Sequence, residues 1–131
     1  MLTGGLAAKA RMLRLVRPRD LLRPARLRLI RQVSGNTLLP HRRLSHLADL
    51  ATDLPSGAIV ECGTYLGGSA GVLATTQPDR AVWLFDSWEG CPEPGANDVG
   101  VFGEPGAAGD FAAPRKEAER FLYGTMGFDR G

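Results

Sequence analysis

Two acids and three glycines, placed at the ends of two short apolar runs, carry the chemistry that this chain advertises. Residues 60–69 read Val-Glu-Cys-Gly-Thr-Tyr-Leu-Gly-Gly-Ser, and Asp86 follows Gly63 by 23 positions, at the end of Ala-Val-Trp-Leu-Phe. A glycine turn after a buried strand lets the backbone bend sharply and lets a ligand lie against it. Gly67 and Gly68 are expected to free amide hydrogens at a helix start, where carboxylate or phosphate oxygens bind. Ser69 is expected to cap that helix. The ligand is narrowed by what is missing. No lysine follows Gly67 or Gly68, so the run is not a P-loop. Tyr65 stands where a dinucleotide fingerprint needs its second glycine. Glu61 would repel a pyrophosphate but can receive an ammonium group, and Asp86 is placed to accept hydrogen bonds from ribose hydroxyls. Together these favour S-adenosylmethionine.

The elements that must position these residues follow from periodicity. Ala58–Gly63 and Ala81–Phe85 lack polar alternation, as parallel strands buried on both faces do. Cys62 and Trp83 are accordingly expected in the core. A helix from about Ser69 to Thr76 joins the strands into one βαβ unit. Upstream, Pro40 opens a helix whose apolar side is Leu44, Leu47, Ala48, Leu50, Ala51 and Leu54, with Arg42, Arg43, Asp49 and Asp53 facing away. Downstream, Pro114 starts a final helix with Ala118, Phe121 and Leu122 inward and Gly124 as its stop. Residues 90–113, rich in Gly, Pro and Ala, are expected to form a flexible, lid-like loop. Its acids Asp98, Glu104 and Asp110 are expected to be solvated.

Charge divides the chain unevenly. Residues 1–33 hold nine Lys or Arg against the single acid Asp20, whereas residues 34–131 hold seven bases against thirteen acids. The expected organisation is a basic helical arm over 1–34 and an α/β body over 35–131. A short amphipathic helix fits Leu6–Val16, with Pro18 and Pro24 breaking any longer one. Packing of the arm on its own body or on a second subunit is the leading expectation, ahead of contact with a membrane surface. No apolar run approaches the roughly 18 residues of a membrane-spanning helix. Without interleaved aromatics or a reading helix, nucleic acid is not an expected partner. Cys62 and Cys91 are too few for a disulfide scaffold, and His41 and His46 lack metal-site spacing. A cytoplasmic protein is expected.

The run Val60–Ser69, followed by Val82-Trp-Leu-Phe-Asp86-Ser-Trp-Glu-Gly-Cys-Pro-Glu-Pro94, resembles the macrocin O-methyltransferase family, whose corresponding stretches read approximately VECGVxxGGS and VWxxDSFEGLPxP. The resemblance spans roughly Asn36–Arg130. It implies a Rossmann-like class I methyltransferase fold, a truncated parallel sheet with helices on its faces, and methyl transfer from S-adenosylmethionine to a hydroxyl of a small-molecule or sugar substrate. By position it implies cofactor contacts from Glu61, Gly63, Thr64, Tyr65, Gly67, Gly68 and Ser69 at the methionine end, from Asp86 on the ribose, and from Ser87 and Trp88 near the adenosine. Thr37-Leu38 matches a Thr-Met pair of the family ahead of the first strand. The family continues into an Asp-Gly-Asp segment and an Asp-Asp pair associated with a divalent metal, magnesium, and with the acceptor. Neither occurs here, so the metal ligands and the catalytic base are expected to be missing. The chain therefore reads as the N-terminal half of the domain, and its stability is expected to be marginal unless a completing chain or a second copy joins it. The alternatives kept open are an inactive cofactor-binding remnant, an NAD-dependent oxidoreductase, disfavoured by Tyr65, and a membrane-attached adaptor.

Overall fold

A computed structural model describes residues 22–95, 97–98 and 106–130. The expected helix at Leu6–Val16, the breaking role of Pro18, and the acid Glu104 fall outside the described residues. The described chain runs α1 (Pro24–Val33), a 3-10 turn (Ser34–Asn36), α2 (His41–Thr52), β1 (Ile59–Cys62), α3 (Gly68–Thr76), β2 (Val82–Phe85) and α4 (Arg115–Glu119), which continues as a π-helical turn over Arg120–Thr125. The strands are parallel, pairing Ile59 with Val82 and Cys62 with Phe85. The result is a small α/β fold built on one βαβ unit.

Helix α1 lies in the stretch read from charge as an arm. Pro24 sits in its first turn, where the missing amide hydrogen costs nothing, so this proline opens a helix rather than breaking one. Ile30 and Val33, one turn apart, are fully buried, and they join Leu44, Ala48, Ala70, Val72, Phe121 and Leu122 in the main core. Arg26 pairs with Asp49 of α2, with Arg23 close by at 3.5 Å. Asp49 therefore does not face away; it ties α2 to α1.

In α2, Pro40 is the cap and the buried stripe is Leu44, Ser45, Ala48 and Ala51. Leu50 and Leu54 are exposed, contrary to the expected face. Leu50 is two residues, about 200°, from Ala48 around the helix, and Leu54 lies beyond the last turn. Helix α3 is buried from Gly68 through Leu73, and Thr75 and Thr76 return their hydroxyls to the carbonyls of Gly71 and Val72. The last helix buries Ala118, Phe121 and Leu122 as expected. Its stop is Gly127, at φ 76°, and not Gly124; there the Phe128 amide donates to the Leu122 carbonyl at 3.1 Å.

The sheet corrects two expectations. Ile59 is buried against Ala51 and Leu73, with Val82 packed beside them. Val60, Trp83 and Phe85, on the opposite face, are 60, 58 and 55% exposed. Cys62 is exposed as well. Among the described residues, helices cover one face only, so alternate side chains of both strands meet solvent. The apolar run correctly marked a strand built for two covered faces, but among the described residues only one cover is present.

Candidate functional site at the carboxyl ends of the strands

The parallel register places Glu61 beside Leu84, so Glu61 and Asp86 share the carboxyl edge of the sheet. The turn between β1 and α3 is tied to β2 by the Gly63 amide, which donates to the Phe85 carbonyl at 2.8 Å. Gly63 has φ 88°, and a side chain added there would meet nothing within 4 Å. The bend therefore opens to solvent, leaving space against the backbone.

The other glycines also serve packing. Gly67 takes the helix-cap position at φ 86° and faces Leu122, while a Cβ on Gly68 would lie 2.7 Å from both the Asn36 carbonyl oxygen and the Thr37 Cβ. What approaches α3 closely here is the Asn36-Thr37 backbone. Thr37 thereby adjoins the site; its Oγ1 accepts from the Leu39 amide at 3.1 Å, and Leu38 is exposed. Thr64 is fully buried and directs its hydroxyl to the Phe85 carbonyl at 3.4 Å. Ser69 is not the cap. It lies inside the first turn of α3, buried, with its hydroxyl bonded to Glu61.

The two acids differ in electrostatic state. Burial pushes the Glu61 carboxyl above its ordinary pKa, the Ser69 hydrogen bond pulls it back, and the Asp86 charge adds to the rise. Its Oε2 is buried with no hydrogen-bond partner among the described residues. A buried acceptor in that condition favours a donor, and a cationic one most strongly. Asp86 is held below its ordinary pKa, first by the Tyr65 amide and, after an opposing effect of burial, by further backbone donors beginning with Trp88. Both contacts are 2.8 Å, Tyr65 to Oδ2 and Trp88 to Oδ1. Each oxygen retains a lone pair for a ligand hydroxyl. Ser87 closes its own turn, accepting from the Glu89 amide and reaching the Gly90 carbonyl.

A groove of about 1450 Å³ borders Asp86, Ser87 and Trp88 and continues along β2 to Leu29, Tyr123 and Phe128. Glu61 and the glycine turn do not line it. The groove thus adjoins one end of the site rather than enclosing all of it. Its α1 wall was missed because charge, rather than the Ile30/Val33 spacing, dominated the reading of that segment.

The loop after Asp86 is closed at its base by backbone hydrogen bonds. The Cys91 amide donates to the Asp110 carbonyl and the Gly109 amide to the Cys91 carbonyl, both at 2.8 Å. Asp98 and Asp110 are turn-formers, not merely solvated acids: their carboxylates accept from the Gly95 and Ala107 amides. Among the described residues no group of three or more His, Cys, Asp or Glu could hold a metal ion, so the magnesium implied by the resemblance does not fit these residues and no step is derived through it. No described helix is long and apolar enough to cross a membrane.

No curated protein and no solved structure matches the chain significantly. The model of one family, Macrocin-O-methyltransferase (TylF), matches residues 30–104. That match covers more than half of the chain, takes in the glycine turn and Asp86, and begins at Ile30 inside α1, upstream of the expected Asn36. On this match the chain belongs to the macrocin O-methyltransferase family.

Proposed function

We infer that this chain binds S-adenosylmethionine across the carboxyl edge of β1 and β2 and orients its methyl group for transfer to a hydroxyl of a small-molecule acceptor. The observation that carries the reading is the pairing of an unsatisfied buried Glu61 oxygen with an ionised Asp86 on the same sheet edge, either side of an open Gly63. Glu61 receives the ammonium group, Gly63 lets the methionine chain lie on the backbone, and Asp86 accepts the ribose hydroxyls. The bound donor supplies an electrophilic methyl on sulfur. The protein's contribution is alignment, which in favourable cases lowers a barrier by about 7–11 kcal/mol. No described side chain is assigned as the base for the acceptor.

Calorimetry with S-adenosylmethionine and with NAD tests the reading. Binding of the former with the latter silent is expected; a preference for NAD overturns it. A second reading, a cofactor-holding subunit completed by another polypeptide, is supported by the bare apolar face of Val60, Trp83 and Phe85. Light scattering across a concentration series tests it, and a monomer at every concentration with full methyl-transfer activity overturns it.

A further inference from the structure

Helix α3 carries three hydroxyls, and they do not behave alike. Thr75 and Thr76 donate to the carbonyls one turn back, Gly71 and Val72, at 2.7 and 2.8 Å. That is the ordinary outlet for a hydroxyl inside a helix. Ser69 donates instead to the Glu61 carboxyl, on the strand before the turn. Packing sets this arrangement. Gly67 lies against Leu122 and Gly68 against Asn36 and Thr37, so the start of α3 is fixed and Ser69 is carried in with it, 9% exposed. Buried there, with its hydroxyl engaged, Ser69 offers a ligand little surface.

On the Glu61 carboxyl the influences oppose one another. Burial and the Asp86 charge at the end of β2 favour the neutral acid, and the Ser69 donor favours the carboxylate. No described cation pairs with Glu61. Oε2 meanwhile stays buried without a partner. A carboxylate held at one oxygen and bare at the other is ready for an incoming positive charge.

We propose that Ser69 is a positioning residue: it holds and orients the Glu61 carboxylate so that Oε2 receives the ammonium group of S-adenosylmethionine, without touching the cofactor itself. The inference rests on the cofactor reading above and replaces the direct contact that the resemblance implied for Ser69.

The test is calorimetry on the full chain between pH 5 and 7 with two probes. These are S-adenosylmethionine and 5′-methylthioadenosine, which keeps the adenosine and lacks the amino-acid end. Ser69→Ala is expected to bind 5′-methylthioadenosine as the parent does. At the acid end of the series it is expected to bind S-adenosylmethionine about tenfold more weakly, with the acid-side loss of affinity beginning about one pH unit higher, the scale of one charge-assisted hydrogen bond. Ser69→Thr, which keeps the hydroxyl, is expected to restore the parent profile. In a Glu61→Gln background Ser69→Ala is expected to cause no further loss, because the two residues act as one unit. Should Ser69→Ala fail to fold, Ser69→Cys, a weaker donor of similar size, carries the same test. The proposal is overturned if removing the hydroxyl leaves the S-adenosylmethionine profile unchanged, if it weakens both probes alike, or if the loss persists in the Glu61→Gln background. A parent chain that binds neither probe defeats the cofactor reading itself, before any variant is made, and the proposal with it.

Discussion

The turn that leaves β1 and the turn that leaves β2 solve the same problem by different means. The first is held by shape: Gly67 fits against Leu122, and Gly68 against Asn36 and Thr37. The second is held by charge, with the Asp86 carboxylate collecting the Trp88 amide of its own loop, reaching across to the Tyr65 amide of the first turn, and with Gly90 locking the far end of the loop to Asp110. Glu61 takes the Ser69 hydroxyl across the first turn and still keeps one oxygen, Oε2, unsatisfied. Because Asp86 folds its own loop, it is fixed in place and ionised before any ligand arrives. One acid is free to bind; the other is preorganised to bind.

Substitutions can break or sharpen that contrast. The largest loss is expected from Gly90→Ala, whose Cβ would strike the backbone of Asp110 and Gly109 at 2.6 Å and would sit at φ 80°; about 3 kcal/mol, read from the denaturant midpoint, follows from overpacking and strain together. Gly68→Ala is expected to cost about 2 kcal/mol by the same measurement, and a variant as stable as the parent would show that the first turn is not held by shape. Asp86→Asn replaces one accepting oxygen with a donor facing a backbone amide, so a loss of about 2 kcal/mol is expected, with S-adenosylmethionine binding lost in calorimetry.

Glu61→Gln separates the two acids most directly. Its effect on stability is expected to be small, while S-adenosylmethionine binding weakens by about tenfold with loss of the charged hydrogen bond. It also changes the pH profile. The raised pKa of Glu61 means that its stabilising contribution is present in acid and lost as pH rises from about 4 through the folded-state value. Asp86, with its lowered pKa, contributes fully above about 4 and loses that contribution as pH falls through its folded-state value. Thermal melts of Glu61→Gln should therefore lack the decline toward neutral pH and keep the decline in acid. The smallest effect is expected from Thr64→Val, which removes one long hydrogen bond to Phe85 at about 0.5–1.5 kcal/mol.

The strands, their order and the two acids at their ends were legible because apolar runs, turn glycines and a terminal carboxylate are local signals. The roles of Gly68 and Ser69 were not, since each depends on a neighbour distant in sequence or across the turn: Asn36-Thr37 for the glycine, Glu61 for the serine. Charge marked residues 1–34 as a helical arm but concealed that the helix Pro24–Val33 contributes to the core, because its buried side is only Ile30 and Val33. The exposure of Trp83 and Cys62 was unreadable for a different reason. A strand's composition says how many faces it was made to bury, and only the assembled chain shows how many are covered.

The bare sheet face has an optical consequence. The chain contains two tryptophans, and Trp83 stands on that face while Trp88 is half-buried in the groove beside Asp86. With Trp83 in water, the intrinsic emission is red-shifted and open to quenching by dissolved iodide or acrylamide. Anything that lies down on the sheet would move that emission to the blue and shield it, and the spectrum of Trp83→Phe would report the groove alone.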